Sequence, residues 1–411
     1  MLGASRSFVL YWSSSAISYP GDGVRFAAVP LLAVSLSSSA REVAMVAAAA
    51  GLPWLLFGLV AGVVVDRIER ARAMALLQVA RGALTVVLVV GVTTGGLSIA
   101  LLAAFVFLLG SCEVVVDVAS HAILPALVGR DRLQWANSRL ITAEVVTFEF
   151  VGPALGGVLF AVSVAGPFVL DAASFLVSGV MLLSVARRLR GTGTVARSDH
   201  VGPASLGVEV VEGLRWFRSQ PLLRSLTAIT VSVNLAAGGF YAVLALFARE
   251  ELRLGPTGYG LLVAASALGS VAAGLTGTRV GSGAARRQVA LLTTPSVCLG
   301  FALLAGIPWL PIAVLVMIAF GWVVSLYNIV AVSLRQAITP DAMLGRATAV
   351  HRFLAWGALP VGAVAAGFVG DWLGLRAAIG ACAIAAGLGG LSTLPTLVRS
   401  APATFVPEHA R

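Results

Sequence analysis

The chain has 411 residues, of which 59% are hydrophobic and 11% charged, against roughly 45–50% and about 25% in soluble domains. That apolar stock is enough for about twelve membrane-crossing helices of about 20 residues each, and so little charge cannot keep it in water. A soluble enzyme, a nucleic-acid-binding module and a secreted disulfide scaffold are excluded, and the net charge of +10 reads instead as basic loops on one side of a bilayer.

In chain order, apolar runs predict spans over 8–36, 43–65, 73–92, 99–119, 138–161 and 167–185. A polar stretch follows, and further spans are predicted over 223–247, 258–279, 288–307, 311–333, 353–370 and 374–397. The runs are apolar on every face, which in lipid means helix and not a period-two barrel strand. Arg6 ahead of an apolar stretch resembles a signal peptide, but Asp22 and Arg25 interrupt that stretch and its length suits a span. All 28 cations are arginines. With the N-terminus in the cytoplasm, 22 of them fall in cytoplasmic segments and 4 in outer links, while Arg25 and Arg81 lie within spans. This positive-inside split puts both termini in the cytoplasm and makes the span count even. Cys112, Cys298 and Cys382 all sit in apolar runs and form neither a metal nor a disulfide pattern.

The chain repeats itself at about half its length. Gly62 to Arg72 (GVVVDRIERAR) follows the second span, and Gly274 to Arg287 (GLTGTRVGSGAARR) follows the eighth. Ala122 to Pro125 (AILP) follows the fourth span, and Ala337 to Pro340 (AITP) the tenth. The expected organisation is an N-terminal six-helix bundle (1–185), a cytoplasmic linker (186–222), a C-terminal six-helix bundle (223–397) and a cytoplasmic tail (398–411), as in duplicated transporter halves. Within the linker, Val208 to Phe217 has the pattern of an amphipathic helix on the inner leaflet.

Three motifs carry a family resemblance. After span two come Gly62, Asp66, Arg67, Glu69, Arg70 and Arg72, close to the pattern G-x-x-x-D-R-x-G-R-R with Glu69 in place of the second glycine. Span five contains Gly152 to Gly157 (GPALGG), and the link after span four reads LPALVGRDRLQWANSRL, Leu124 to Leu140, where Asn137 is a candidate cap for span five. On these motifs the chain resembles the major facilitator superfamily over nearly its whole length, in particular its bacterial macrolide and siderophore exporters. The resemblance implies an all-α membrane protein of the major facilitator fold, with twelve transmembrane helices in two pseudo-symmetric six-helix bundles. It further implies a cytoplasmic gate at Gly62, Asp66, Arg67 and Arg70, with Asp117 as the acid facing the arginines; a snorkelling basic cluster is the plainer reading. Gly152, Pro153, Gly156 and Gly157 resemble the antiporter-associated motif, where proline bends the helix and the glycines admit a close neighbour.

Charges inside a bilayer are expensive and tend to face a cavity or a partner. Asp22 lies about 21 Å into span one, among Pro20, Gly21 and Gly23, where a kink or break is expected. Arg25 shares its face, so the pair is either structural or part of coupling. Glu113 and Asp117 share a face of span four, Glu144 matches Glu113 in depth on span five, and Glu149 lies near midplane. A proton-coupled exporter needs an acid that is protonated in one state and ionised in another, which makes Glu113, Glu144, Glu149 and Asp22 coupling candidates. The structural alternative is inert pairing with Arg81 or Arg139. Asp171, near the outer start of span six, reads as capping or packing. No acid lies deep in the second-half spans; Asn234, Tyr241, Tyr327 and Asn328, together with Arg25, are the substrate-cavity candidates, interhelical hydrogen bonds being the alternative.

No zinc-protease motif, nucleophile elbow, histidine cluster or P-loop is present in the sequence, so neither an enzyme nor a metal or cofactor site is expected. The function expected is secondary active transport: proton-coupled antiport exporting an amphipathic drug or metabolite by alternating access. Uptake or uncoupled facilitation of a small metabolite is the alternative. The expected partners are the small-molecule substrate, protons and the lipid bilayer, with no nucleic acid, and the expected form is a monomer in the bacterial inner membrane.

Overall fold

A computed structural model describes residues 6–191, 214–277, 280 and 282–400. Among these residues every regular element is helical. The long helices are α1 (Arg6–Leu36), α2 (Ala40–Arg67), α3 (Arg70–Thr93), α4 (Ile99–Val128), α5 (Leu133–Val162) and α6 (Gly166–Gly191). They continue as α7 (Pro221–Glu250), α8 (Pro256–Gly277), α9 (Gly283–Gly306), α10 (Leu310–Ile338), α11 (Asp341–Leu373) and α12 (Leu375–Arg399). Eleven of them, α2 to α12, are long and apolar enough to cross a membrane. α1 is not among these, because Ser13, Ser14, Ser15, Ser18, Asp22 and Arg25 dilute its hydropathy.

Several helices outrun the predicted spans. α4 continues to Val128, α5 begins at Leu133 and α11 begins at Asp341. Hydropathy detects only the stretch that needs lipid, and a helix continues past it wherever polar residues keep forming backbone hydrogen bonds. α5 begins at Leu133, with Arg132 at its N-cap, so Asn137 lies inside the helix and is exposed rather than capping it. α1 does not break at Pro20 to Gly23; it runs as one helix of 31 residues. Of the linker, 192–213 lies outside the described residues, as does most of the amphipathic stretch from Val208; 214–219 is helical. The tail beyond Ser400 is also outside them.

Contacts divide the chain into two compact units. The first comprises the described residues of Met1–Ser38, Leu52–Asp199 and Leu254–Ala264, and the second those of Ser39–Gly51, His200–Arg253 and Ala265–Arg411. α2 and α8 are therefore each shared between the units. One apolar cluster of the first unit joins Phe8, Tyr11, Val65, Met74, Ile123, Leu127, Leu182 and Val185. In the second unit Phe240 stacks on Phe301 with centroids 4.4 Å apart, and Phe301 on Phe320 at 5.5 Å. At one end of this unit, Ser39 donates to the Asp371 carboxylate (Oδ2, 2.9 Å) and accepts from the Glu42 N–H (3.2 Å). Arg41 N–H donates to Asp371 Oδ1 (3.1 Å), so Ser39 and Asp371 together satisfy donors of the first turn of α2.

Candidate functional site

Five charged side chains from four helices meet inside the first unit. Arg25 Nη2 lies 2.7 Å from Asp22 Oδ1 and 3.3 Å from Glu113 Oε2. Arg81 Nη2, from α3, makes the same two contacts at 2.7 and 3.3 Å. Arg25 Nε is 3.2 Å from Asp171 Oδ2 on α6. The two guanidiniums thus straddle Asp22 closely and Glu113 more loosely. Exposure follows the same order: Asp171 is 0% exposed, Arg81 2%, Asp22 and Arg25 14%, and Glu113 43%.

Neutral groups hold the cluster in place. Arg81 Nη1 donates to Gln78 Oε1 (2.9 Å), and Gln78 Nε2 donates to Ser18 Oγ and Ser178 Oγ, both at 3.1 Å. Ser18 donates to Asp22 Oδ2 at 3.3 Å. The Phe175 ring lies under both guanidiniums, its centroid 4.0 Å from Arg81 Cζ and 6.0 Å from Arg25 Cζ, an attractive cation–π arrangement in a desolvated place.

Of the two readings of Asp171, capping and packing, the geometry supports packing: it sits in the second turn of α6, fully buried against Arg25. Arg81 pairs with acids, as the structural alternative expects, being buried and bound to Asp22 and Glu113. Arg25, a substrate-cavity candidate, is committed to three carboxylates. The sequence reading passed over Gln78, Ser18, Ser178 and Phe175. A signal for two of them was present, since Ser18 and Gln78 stand one turn before Asp22 and Arg81.

The other two acids lie on α5. Glu144 has no ion pair or hydrogen bond among the described residues, is exposed, and is near enough to Glu149, Asp117 and Glu113 to feel their charges. Neither Arg81 nor Arg139 neutralises it: Arg139 lies over the Trp135 ring, 5.0 Å from its centroid. Glu149 belongs to a π-helical stretch, Val145–Val151, that leads directly into Gly152. Immediately beyond, the glycines serve close approach. A Cβ on Gly152 would lie 2.5 Å from Gly23 Cα of α1, and one on Gly157 would lie 2.5 Å from the Pro256 carbonyl oxygen of α8. Gly156 packs in the same way on Val24, and Pro153 is buried among them. Between α1 and α5 a groove of about 600 Å³ is lined by Trp12, Trp135, Arg139, Thr142 and Thr147.

The gate candidates lie at the ends of α2, α3 and α4. Gly62 faces open space, and Arg67 is exposed. Arg70 Nη1 donates to the Ala122 carbonyl of α4 at 3.1 Å, and Asp117 Oδ1 lies 3.7 Å from His121 Nε2. The Asp66 side chain is outside the described residues. In the second unit Asn234 Nδ2 donates to the Ala355 carbonyl (2.7 Å), the Tyr327 hydroxyl donates to the Leu226 carbonyl, and Tyr241 stands edge-on to Phe240 and Phe320. Asn328 is exposed. Asn234 and Tyr327 are therefore engaged in interhelical hydrogen bonds.

The comparisons with known proteins agree with this architecture. The family model described as transmembrane secretion effector matches residues 4–407. The multidrug efflux pump Tap of Mycolicibacterium fortuitum is 29% identical over 402 residues, covering 94% of this chain and 92% of that protein. The enterobactin exporter EntS of Salmonella typhi is 27% identical over 395 residues, covering 94% and 85%. Among solved structures, a bacterial homologue of the iron transporter ferroportin superposes with a TM-score of 0.74 at 17% identity, over 96% of this chain and 99% of that one. A bacterial homologue of the lysosomal transporter Spinster gives 0.72 at 11% identity, over 97% of each chain. These structures share the major facilitator fold with this chain. It is a multi-pass membrane transporter of the exporter type and belongs to the transmembrane secretion effector family of the major facilitator superfamily.

Proposed function

We propose that the chain is a proton-coupled antiporter that exports amphipathic small molecules, with α1 as a twelfth span and Glu113 as the exchanging carboxylate. One observation carries this reading. In the buried cluster two guanidiniums meet three carboxylates, and only Glu113 is both loosely held, at 3.3 Å from each arginine, and substantially open to solvent. Asp22 and Asp171 balance Arg25 and Arg81, so Glu113 is the surplus charge. A proton on Glu113 leaves the cluster neutral, and its departure restores one negative charge that a cationic group can use. Glu144 and Glu149, on the neighbouring helix, extend the acidic face along which protons would pass. The groove lined by Trp12 and Trp135 supports an amphipathic, ring-bearing substrate. The sequence-level arginine bias supports an inner-membrane location with both termini in the cytoplasm, and a monomer is the working form.

Reconstitution in liposomes with an imposed pH gradient tests the scheme, with a lipophilic cationic dye as reporter substrate. The gradient should drive dye movement, dye movement should discharge the gradient, and Glu113→Gln should remove both couplings. If transport is equal without a gradient and unchanged by Glu113→Gln, Glu144→Gln and Glu149→Gln, coupling is refuted and uncoupled facilitation takes its place.

A further inference from the structure

The neutral groups beside the charged cluster close a hydrogen-bonded ring. Arg81 Nη1 donates to Gln78 Oε1 (2.9 Å), and Gln78 Nε2 donates to Ser18 Oγ (3.1 Å). Ser18 donates to Asp22 Oδ2 (3.3 Å), and Asp22 Oδ1 accepts from Arg81 Nη2 (2.7 Å). The sense of each bond is fixed. A guanidinium only donates, so the Gln78 atom facing Arg81 is the carbonyl oxygen; the reverse amide orientation would set donor against donor. The amide nitrogen then donates twice, to Ser18 and to Ser178 of α6 at 3.1 Å, and the Ser18 hydroxyl is turned towards Asp22. Ser18, Gln78, Arg81 and Ser178 are all buried. A Cβ on Gly21 would lie 2.9 Å from Asp171 Oδ1, and one on Gly82 would lie 2.8 Å from Leu176 Cδ2, so α1 and α3 both rest hard against α6 around the ring.

Asp22 is offered donors alone, from Ser18, Arg25 and Arg81. A carboxylate accepts whereas a carboxylic acid must also donate, so Asp22 fits its place as a fixed counter-ion. Arg81 is held at both ends, by Gln78 on Nη1 and by Asp22 and Glu113 on Nη2. What residue 78 presents to Nη1 therefore decides how much of the guanidinium's charge is left for Glu113. Among the described residues, Asp22 and Arg25 of α1, Arg81 of α3, Asp171 of α6 and Glu144 of α5 act on or touch Glu113. Tyr19 lies near Asp22 and Glu144, Glu149 near Glu144, and Cys112 and Asp117 are on the same helix as Glu113.

We propose that Gln78 is a positioning residue for Glu113: as a neutral acceptor it anchors Arg81, and through that shared guanidinium it sets the proton affinity of Glu113. The proposal rests on the reading of Glu113 as the exchanging carboxylate and deepens it.

The test titrates the full chain in lipid films by infrared spectroscopy, with the carbonyl absorption of a protonated carboxyl group as the readout. Each chain is read against the same chain carrying Glu113→Gln, so the difference belongs to Glu113. Gln78→Glu, nearly isosteric, sets a carboxylate on Arg81 Nη1 and adds a negative charge to the cluster. The Glu113 midpoint should move to higher pH by about one unit, tenfold in proton concentration. Gln78→Met, similar in size and apolar, removes the acceptor. Arg81 then leans on its remaining carboxylates, and the midpoint should move several-fold the other way. Thr85→Val removes a hydroxyl that donates to the Arg81 carbonyl (2.9 Å) and lies outside the ring; it should leave the midpoint in place. In liposomes the pH dependence of cationic-dye export should move with the infrared midpoint in each variant.

Opposite displacements in Gln78→Glu and Gln78→Met support the proposal, because a merely structural residue would give one direction for both. Each variant has a sign of its own, so either decides the matter if the other does not fold. No displacement, the same direction in both, or an equal displacement in Thr85→Val overturns the proposal. Opposite infrared displacements with export indifferent to the gradient leave the positioning role standing and remove Glu113 from coupling. A wild-type chain without any absorption that depends on Glu113 overturns both.

Discussion

Replacing Arg81 by methionine keeps an unbranched apolar stem and removes the guanidinium and its charge. Wild-type Arg81 is 2% exposed and contacts Asp22 at 2.7 Å, Glu113 at 3.3 Å and Gln78 at 2.9 Å. Asp22 then loses a partner in a place that water barely reaches, and Glu113 loses one at the more open side of the cluster. Breaking a buried pair of this kind costs about 3–5 kcal/mol, with about 0.5–2 kcal/mol more from the lost Phe175 contact. The cluster goes from one excess negative charge to two. Adding Glu113→Gln brings it back to one, so Arg81→Met/Glu113→Gln should be more stable than Arg81→Met alone. Glu113 is 43% exposed, and solvent screening therefore limits the recovery to about 1 kcal/mol, at the low end for contacting side chains. The assay is a double-mutant cycle on four purified proteins, unfolded by SDS in mixed micelles and followed by tryptophan fluorescence. If the loss in the double variant equals the sum of the two single losses, the charge-balance account of this cluster is wrong.

Three further outcomes are expected. Gly152→Leu should push α5 away from Gly23 of α1 and destabilise by about 1–3 kcal/mol or more, as overpacking does, read as a lower thermal midpoint together with lost dye efflux. Asp371→Ala should unpair the Ser39 hydroxyl and the Arg41 N–H at the start of α2, costing about 1 kcal/mol in the manner of a lost helix cap and read in the same unfolding assay; Arg249→Gln should be neutral. In whole cells a membrane-impermeant maleimide should label Arg253→Cys and leave Arg67→Cys unlabelled until the membrane is opened, both in a background with Cys112, Cys298 and Cys382 replaced; the reverse pattern would invert the topology.

Membrane residence and helical class were legible because hydropathy acts over 20-residue windows and needs no tertiary information. The limits of that signal show in α1. Its serines, Asp22 and Arg25 lower its mean hydropathy, and the structure spends them inward on Gln78, Arg81 and Glu113. Helix ends differ from the predicted spans where the polar residues between Ser120 and Asn137 hid continuing helix, as at Val128 and Leu133. Asp22 with Arg25 was legible from a spacing of three on one helix. Asp171 was not, because its partner is 146 positions away in sequence and nothing local marks it; proximity to the predicted start of span six suggested a cap instead. The close packing of Gly152 and Gly157 was legible as a need for small residues, whereas the identity of the facing atoms, Gly23 and Pro256, required the fold.

The π-helical stretch Val145–Val151 has a bearing on how this chain tolerates changes in length. A π turn takes up one residue more than an α turn, so it can absorb an insertion while the helix on either side keeps its angular phase. Trp135 and Arg139 face the groove on one side of the stretch, and Gly152 and Gly156 face α1 on the other. Deleting one residue within 145–151 would let the segment close into ordinary α geometry with both faces still in phase. The same deletion a turn earlier or later would rotate one face by about 100°. Relatives shorter by one residue in this helix can therefore retain both surfaces, provided that their gap falls at the π turn.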